Sequence, residues 1–192
     1  MPMAQPGFSG VHYVMDTRLS QFTVQAFASG MISVVAHSPK IAIRDWTGEV
    51  RFDPESLNDA FLVVRGKTAS FEVTDQLRDD DRRQLHRVMN QEVLEVTEFP
   101  DFVFESTAVT AEKQKQDLYR INVMGKLTLH GVTNGHSFFA QVAFGADSFR
   151  AYGDFTLSQT DYGIKVASIA GGTLKLQDDL KCSFYAVARK KD

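Results

Sequence analysis

The chain has 192 residues, a length that suits one β-barrel or sandwich domain and is short for two. Hydrophobic residues make up 43% and charged residues 23%, the balance of a globular protein able to bury roughly 70% of its extended-chain surface. A net charge of -3 with interspersed signs excludes the basic footprint of a nucleic-acid binder, and the lone Cys182 excludes an internal disulfide or a cysteine-based zinc site.

Residues 1–11 read as an N-terminal arm, and residues 12–189 as one domain without an internal repeat or linker. The arm lacks the apolar core of a secretory signal, so the expected compartment is the cytoplasm, unless a leader was removed. No run approaches the ~18 apolar residues of a spanning helix, so no integral membrane segment is expected.

Period-two alternation then dominates, the mark of strands with one buried face. Phe22, Val24 and Ala26 alternate with Thr23 and Gln25. Residues 40–52 form a second strand whose register switches near Arg44-Asp45, which suggests a bulge or bend. Asp53-Pro54 ends it. Residues 60–73 form the third strand, with Phe61, Val63, Ala69 and Phe71 in alternation.

Residues 77–95 break the pattern. Leu77, Leu85, Val88, Met89, Val93 and Leu94 fall largely on one helical face, with Arg82, Arg83 and Arg87 on the solvated side. Asp79, Asp80 and Asp81 stand where negative charge complements the helix dipole, and that explains them without a cation. Phe99-Pro100 closes the segment.

Phe102 and Phe104 open the next strand, and residues 112–117 read as a hairpin loop. Val123, Leu127 and Leu129 lie on one face of the following strand. Asn134-Gly135 reads as a two-residue hairpin turn, leaving His130 and His136 as exposed hairpin histidines. Phe138, Phe155 and Phe184 mark the inner faces of the last three strands, with Asp178-Asp179 as the turn before the final one. Cys182 beside Phe184 reads as a buried small hydrophobe.

The expected fold is therefore all-β, an eight-stranded antiparallel barrel with a helix between strands 3 and 4. Such a barrel holds packed side chains or one slim ligand. The 15 phenylalanines fit either a dry core or a lined cavity, and composition does not choose. No metal, phosphate-loop or nucleophile-elbow motif is present, so no cofactor and no catalytic residues are expected. A lipid- or acid-directed enzyme using His37 or His86 is the weakest of three readings. A non-catalytic stress-response or interaction module with a filled barrel is the second.

Several segments resemble the YceI-like family, often called polyisoprenoid-binding proteins. They are residues 20–24 (SQFTV), 48–54 (GEVRFDP), 69–75 (ASFEVTD), 99–106 (FPDFVFES), 125–133 (GKLTLHGVT) and 160–164 (TDYGI). The helix lacks the RDxHL and Phe-Phe run that many members show, and Asn134-Gly135 replaces a basic residue and Pro. The resemblance spans residues 12–188. It implies a lipocalin-like barrel whose channel takes an isoprenoid tail, with a polar head near the mouth, and it implies homodimer formation. The first and leading reading follows: non-enzymatic binding, transport or storage of an isoprenoid lipid or quinone. Lining candidates are Phe22, Val24, Phe102, Phe104, Val123, Leu127, Leu129, Phe138, Phe155 and Phe184, with His37 and Arg65 as polar contacts at the mouth.

Overall fold

The computed structural model describes residues 10–29, 38–166, 168–169 and 174–191. The strands run β1 (Val11–Met15), β2 (Gln21–Gln25), β3 (Ala28–Ser29), β4 (Lys40–Ile43), β5 (Trp46–Asp53), β6 (Ser56–Lys67) and β7 (Phe71–Val73). Helix α1 (Asp79–Val88) follows, extended by a π-helical turn (Met89–Val93). Then come β8 (Asp101–Lys115), β9 (Leu118–Leu129), β10 (Val132–Phe144), β11 (Ser148–Ser158), β12 (Ser168–Ile169), β13 (Leu174–Leu176) and β14 (Asp179–Lys190).

Eight antiparallel strands close a ring in the order β1-β5-β6-β8-β9-β10-β11-β14, and β14 returns to β1. Closure removes the free edges that an open sheet would expose. The long strand β14 is shared: Ala188 to Lys190 pair with β1, while Lys181 to Tyr185 pair with β2. From β2 a branch runs through β4 to β7. The bend expected at Arg44-Asp45 is where β4 leaves for this branch and β5 stays in the ring. Asp45 O accepts from Lys67 N at 2.9 Å and Ser70 O from Arg44 N at 3.2 Å, so the fork is hydrogen-bonded.

The expected third strand is two strands, β6 and β7, separated by a 3₁₀ turn at Thr68–Ser70. The residues expected to form a loop at 112–115 continue β8, and the chain reverses at Gln116-Asp117, with Asp117 at φ 59. A larger correction concerns the next hairpin. Its turn is His130-Gly131, with φ 51 and 73, and Val132 already pairs with Leu129. Positive φ at both central residues is the type I′ pattern that matches strand twist. Asn134 and Gly135 lie inside β10, opposite Leu127 and Lys126.

The helix sits as expected, with its acidic first turn at the positive dipole end. Arg82 is not on the solvated side. Its guanidinium donates to Val73 O at 3.1 Å and Asp75 O at 3.0 Å, tying α1 to the end of β7. His86 Nε2 accepts from Val73 N at 3.4 Å. The π turn adds a residue, so that Met89 and Leu94, five apart and joined by a 2.8 Å backbone bond, are both buried.

Candidate ligand-binding channel

The barrel interior is not filled. Its buried apolar residues fall into three clusters that half-buried Met15, Ala60, Val64, Ile121 and Leu127 bridge. Between them runs a cavity of about 290 Å³. On β10 it is lined from His136 to Phe144 at every second residue, as the pleat dictates. Those eight steps span ~27 Å along the strand, or ~20 Å along the axis after the tilt of a small barrel. The volume is therefore a narrow channel and not a round chamber.

All ten expected lining residues stand on this channel: Phe22 and Val24 from β2, Phe102 and Phe104 from β8, Val123, Leu127 and Leu129 from β9, Phe138 from β10, Phe155 from β11 and Phe184 from β14. Phe138 is the hub of an aromatic group on the lining, with its ring 5.5 Å from Phe104, 5.5 Å from Phe155 and 5.6 Å from Phe184. Among the described residues, apart from the Trp46 indole and the Cys182 thiol, only His136 and Gln159 bring polar side chains to the lining. Gln159 is committed elsewhere: its Nε2 donates to Gln177 O at 3.0 Å and Asp178 O at 3.2 Å. A cavity this apolar offers water no partners, so it is a site for hydrocarbon.

The two ends are built differently. At one end Phe52, Phe144 and Phe149 line the channel, backed by Tyr13 and Tyr119, with ring centroids 5.3 to 5.6 Å apart. At the other end Leu85, Val88, Met89, Val93 and Leu94 of α1 and its π turn close the lining, together with Ile164. The helix exit is locked to the β9–β10 turn. Glu95, at φ 45, accepts a 3.0 Å hydrogen bond from His130 Nε2, and the His130 ring lies 4.2 Å from that of Phe99. Gly131 is required there, because its φ is positive and a Cβ would strike Phe99. Thr68, almost wholly buried, donates to Phe99 O at 2.7 Å.

Arg65 is not at a mouth. It is exposed on the outer face of β6, paired at 2.9 Å with Glu105 of β8, because it has the opposite parity to the lining residue Val64. His37 lies outside the described residues. His136 is half-buried and lines the channel, not exposed as expected; it shares the parity of Phe138, and that was the available signal. Its Nε2 is buried without a hydrogen-bond partner, and burial pushes its pKa below the usual 6.5. Leaving a buried nitrogen unpaired costs about 1–3 kcal/mol. Cys182 is buried on the lining, and burial pushes its thiol up to about 12. Among the described residues, no three His, Cys, Asp or Glu side chains come together as a metal site. No described helix is long and apolar enough to cross a membrane.

Comparison with known proteins agrees with this architecture. No curated protein matches the chain. Among solved structures, BcnA of Burkholderia cenocepacia is similar at TM-score 0.70 and 18% identity, over 90% of this chain and 98% of that one. A polyisoprenoid binding domain from Saccharophagus degradans, implicated in plant cell wall breakdown, is similar at TM-score 0.66 and 10% identity, over 93% and 98%. The YCEI protein of Campylobacter jejuni is similar at TM-score 0.63 and 18% identity, over 82% and 88%. At these identities the likenesses establish the fold. The family model of the YceI-like domain matches residues 13–188, nearly the whole barrel, and the chain belongs to the YceI-like family.

Proposed function

We propose that this protein binds an elongated apolar small molecule inside the barrel, an isoprenoid lipid or quinone, and carries or stores it without transforming it. The observation that carries this reading is the narrow channel lined almost wholly by apolar side chains. Each buried CH₂ contributes about 0.8 kcal/mol, so a polyprenyl tail threaded through it has a large gross driving force. Ordering a flexible chain offsets part of that gain. The polyisoprenoid binding domain among the structural neighbours supports the same ligand class. Among the described residues the lining brings no activated nucleophile: Cys182 stays protonated at neutral pH, and Gln159 is held by backbone carbonyls. The open channel weighs against a filled-barrel interaction module.

The chain has one tryptophan, and Trp46 lies on the channel wall. A polyprenyl benzoquinone added to delipidated protein is expected to quench Trp46 fluorescence saturably, at one molecule per chain. A tailless benzoquinone at the same concentrations is expected to leave it nearly unchanged. Equal quenching by both, or no saturation, would reject the reading.

A further inference from the structure

The barrel wall has a seam. Strand β10 pairs with β9 from Val132 to Ala143, and β11 pairs with β14 from Ser148 to Ser158. Between themselves β10 and β11 pair only from Gln141 to Phe144 against Phe149 to Tyr152. Past that point Gly153 lets the strands stay close, since a Cβ there would collide with the Phe139 carbonyl oxygen. Farther on they part. Asn134, His136, Thr156, Ser158, Asp161 and Tyr162 then line a polar recess in the wall. His136 and Leu157 border both this recess and the apolar channel. The 3₁₀ turn Thr160–Tyr162 flanks it and is fixed in place: Asn134 Nδ2 donates to Asp161 O at 2.6 Å, and Asp178 accepts from Ser158 at 2.7 Å and Thr160 at 2.6 Å.

We propose that this recess is the head-group site for the channel's ligand, and that it takes an uncharged hydrogen-bonding head, a carbonyl or a hydroxyl, in preference to a phosphate. The inference rests on the proposed apolar-ligand function and adds where the polar end goes. An amphipathic ligand needs polar surface next to apolar surface, and His136 stands at that junction. The charge of the recess selects the head. Among the described residues, Asp161 is its one charged lining residue, and neither Lys nor Arg lines the recess or the channel. Phosphate recognition is built on such cations. His136 supplies the group that a neutral head would meet: its Nε2 has no partner and is covered as the ring stands, and once the ring turns toward the recess an imidazole kept uncharged by burial donates to a carbonyl or accepts from a hydroxyl, depending on its tautomer.

The test uses the full chain, delipidated, and four probes with isoprenoid bodies: a polyprenyl quinone, a polyprenol, the diphosphate of that polyprenol, and squalene, which has no head. Affinities are read by direct Trp46 quenching for the quinone and by its displacement for the others. The quinone and the polyprenol are expected to bind at least about tenfold more tightly than the diphosphate. His136→Phe is expected to weaken both by about five- to tenfold relative to squalene, whose binding reports any change in the channel itself. Asp161→Lys alters an exposed side chain, so it tests the same idea should His136→Phe fail to fold; it is expected to improve diphosphate binding severalfold, without effect on squalene. A diphosphate that binds the parent chain as tightly as the alcohol overturns the proposal. So do variants that shift squalene as much as the headed probes. Squalene binding without any head preference overturns the recess alone, whereas no binding by any probe overturns the channel reading with it.

Discussion

The two ends of the channel are closed by different physics. The aromatic end belongs to the ring itself: Tyr13, Phe52, Tyr119, Phe144 and Phe149 come from β1, β5, β9, β10 and β11, so long-range strand pairing holds every one of them in place. The opposite end is closed by a separate element. Helix α1 meets the sheet through the Arg82 and His86 bonds to β7, the Glu95–His130 pair and one apolar face. Local stability follows such contact density, so the helical end is the part that opens at lower cost. The aromatic end is the channel's floor, and the helical end is its lid.

The largest expected effect lies at the floor. Phe149→Ala removes a buried ring that touches Tyr13 and Phe144, and should cost about 3–5 kcal/mol in urea unfolding. Met89→Ala at the lid should cost about 2 kcal/mol, because it removes a smaller side chain than Phe149→Ala does and the less densely held helical end relaxes around the gap. Equal costs for the two would erase the distinction. Arg82→Ala should lower global stability by only about 1 kcal/mol. Its signature is local: amide exchange in α1 should accelerate while β9 and β10 stay protected, and bound quinone should dissociate faster. Unchanged exchange in α1 would mean that the helix is not held by Arg82.

The smallest effect is a pH dependence that neither end shares. Burial holds His136 below 6.5 in the folded chain, so the unfolded chain takes up a proton first as pH falls. Stability should therefore decline as pH drops through 6.5 and level off below the folded value. His136→Phe should flatten that part of the stability profile. A parent chain whose stability is level from pH 7 to 5 would contradict the buried, neutral histidine.

How far the sequence could be read depended on how cleanly each strand alternates. Phe102, Phe104, Val123, Phe138 and Phe184 each have a polar residue on one side (Asp101, Glu105, Asn122, Ser137 and Ser183), and their inward parity was legible. The run Ala60-Phe61-Leu62-Val63-Val64 has no polar member, so its parity was not: Ala60, Leu62 and Val64 face the channel while Phe61 is exposed. The β9–β10 turn was placed four residues late, because Asn-Gly is the stronger local signal. What permits His130 its positive φ is Glu95 and Phe99, residues distant in sequence. An even displacement preserves which face is which, and so the lining residues of β10 were still found. The recess was illegible for another reason. It depends on where two strands stop pairing, and no residue pattern announces that.

The eight-stranded ring and its family are established; the cargo is the point on which the reading stands or falls. Native mass spectrometry of the purified chain measures it most directly. The expected result is a fraction of molecules carrying one added mass, released on unfolding and recovered in organic extract as an isoprenoid lipid or quinone with an uncharged head. A chain that flies at its bare mass, and stays bare after incubation with a polyprenyl quinone, would contradict it.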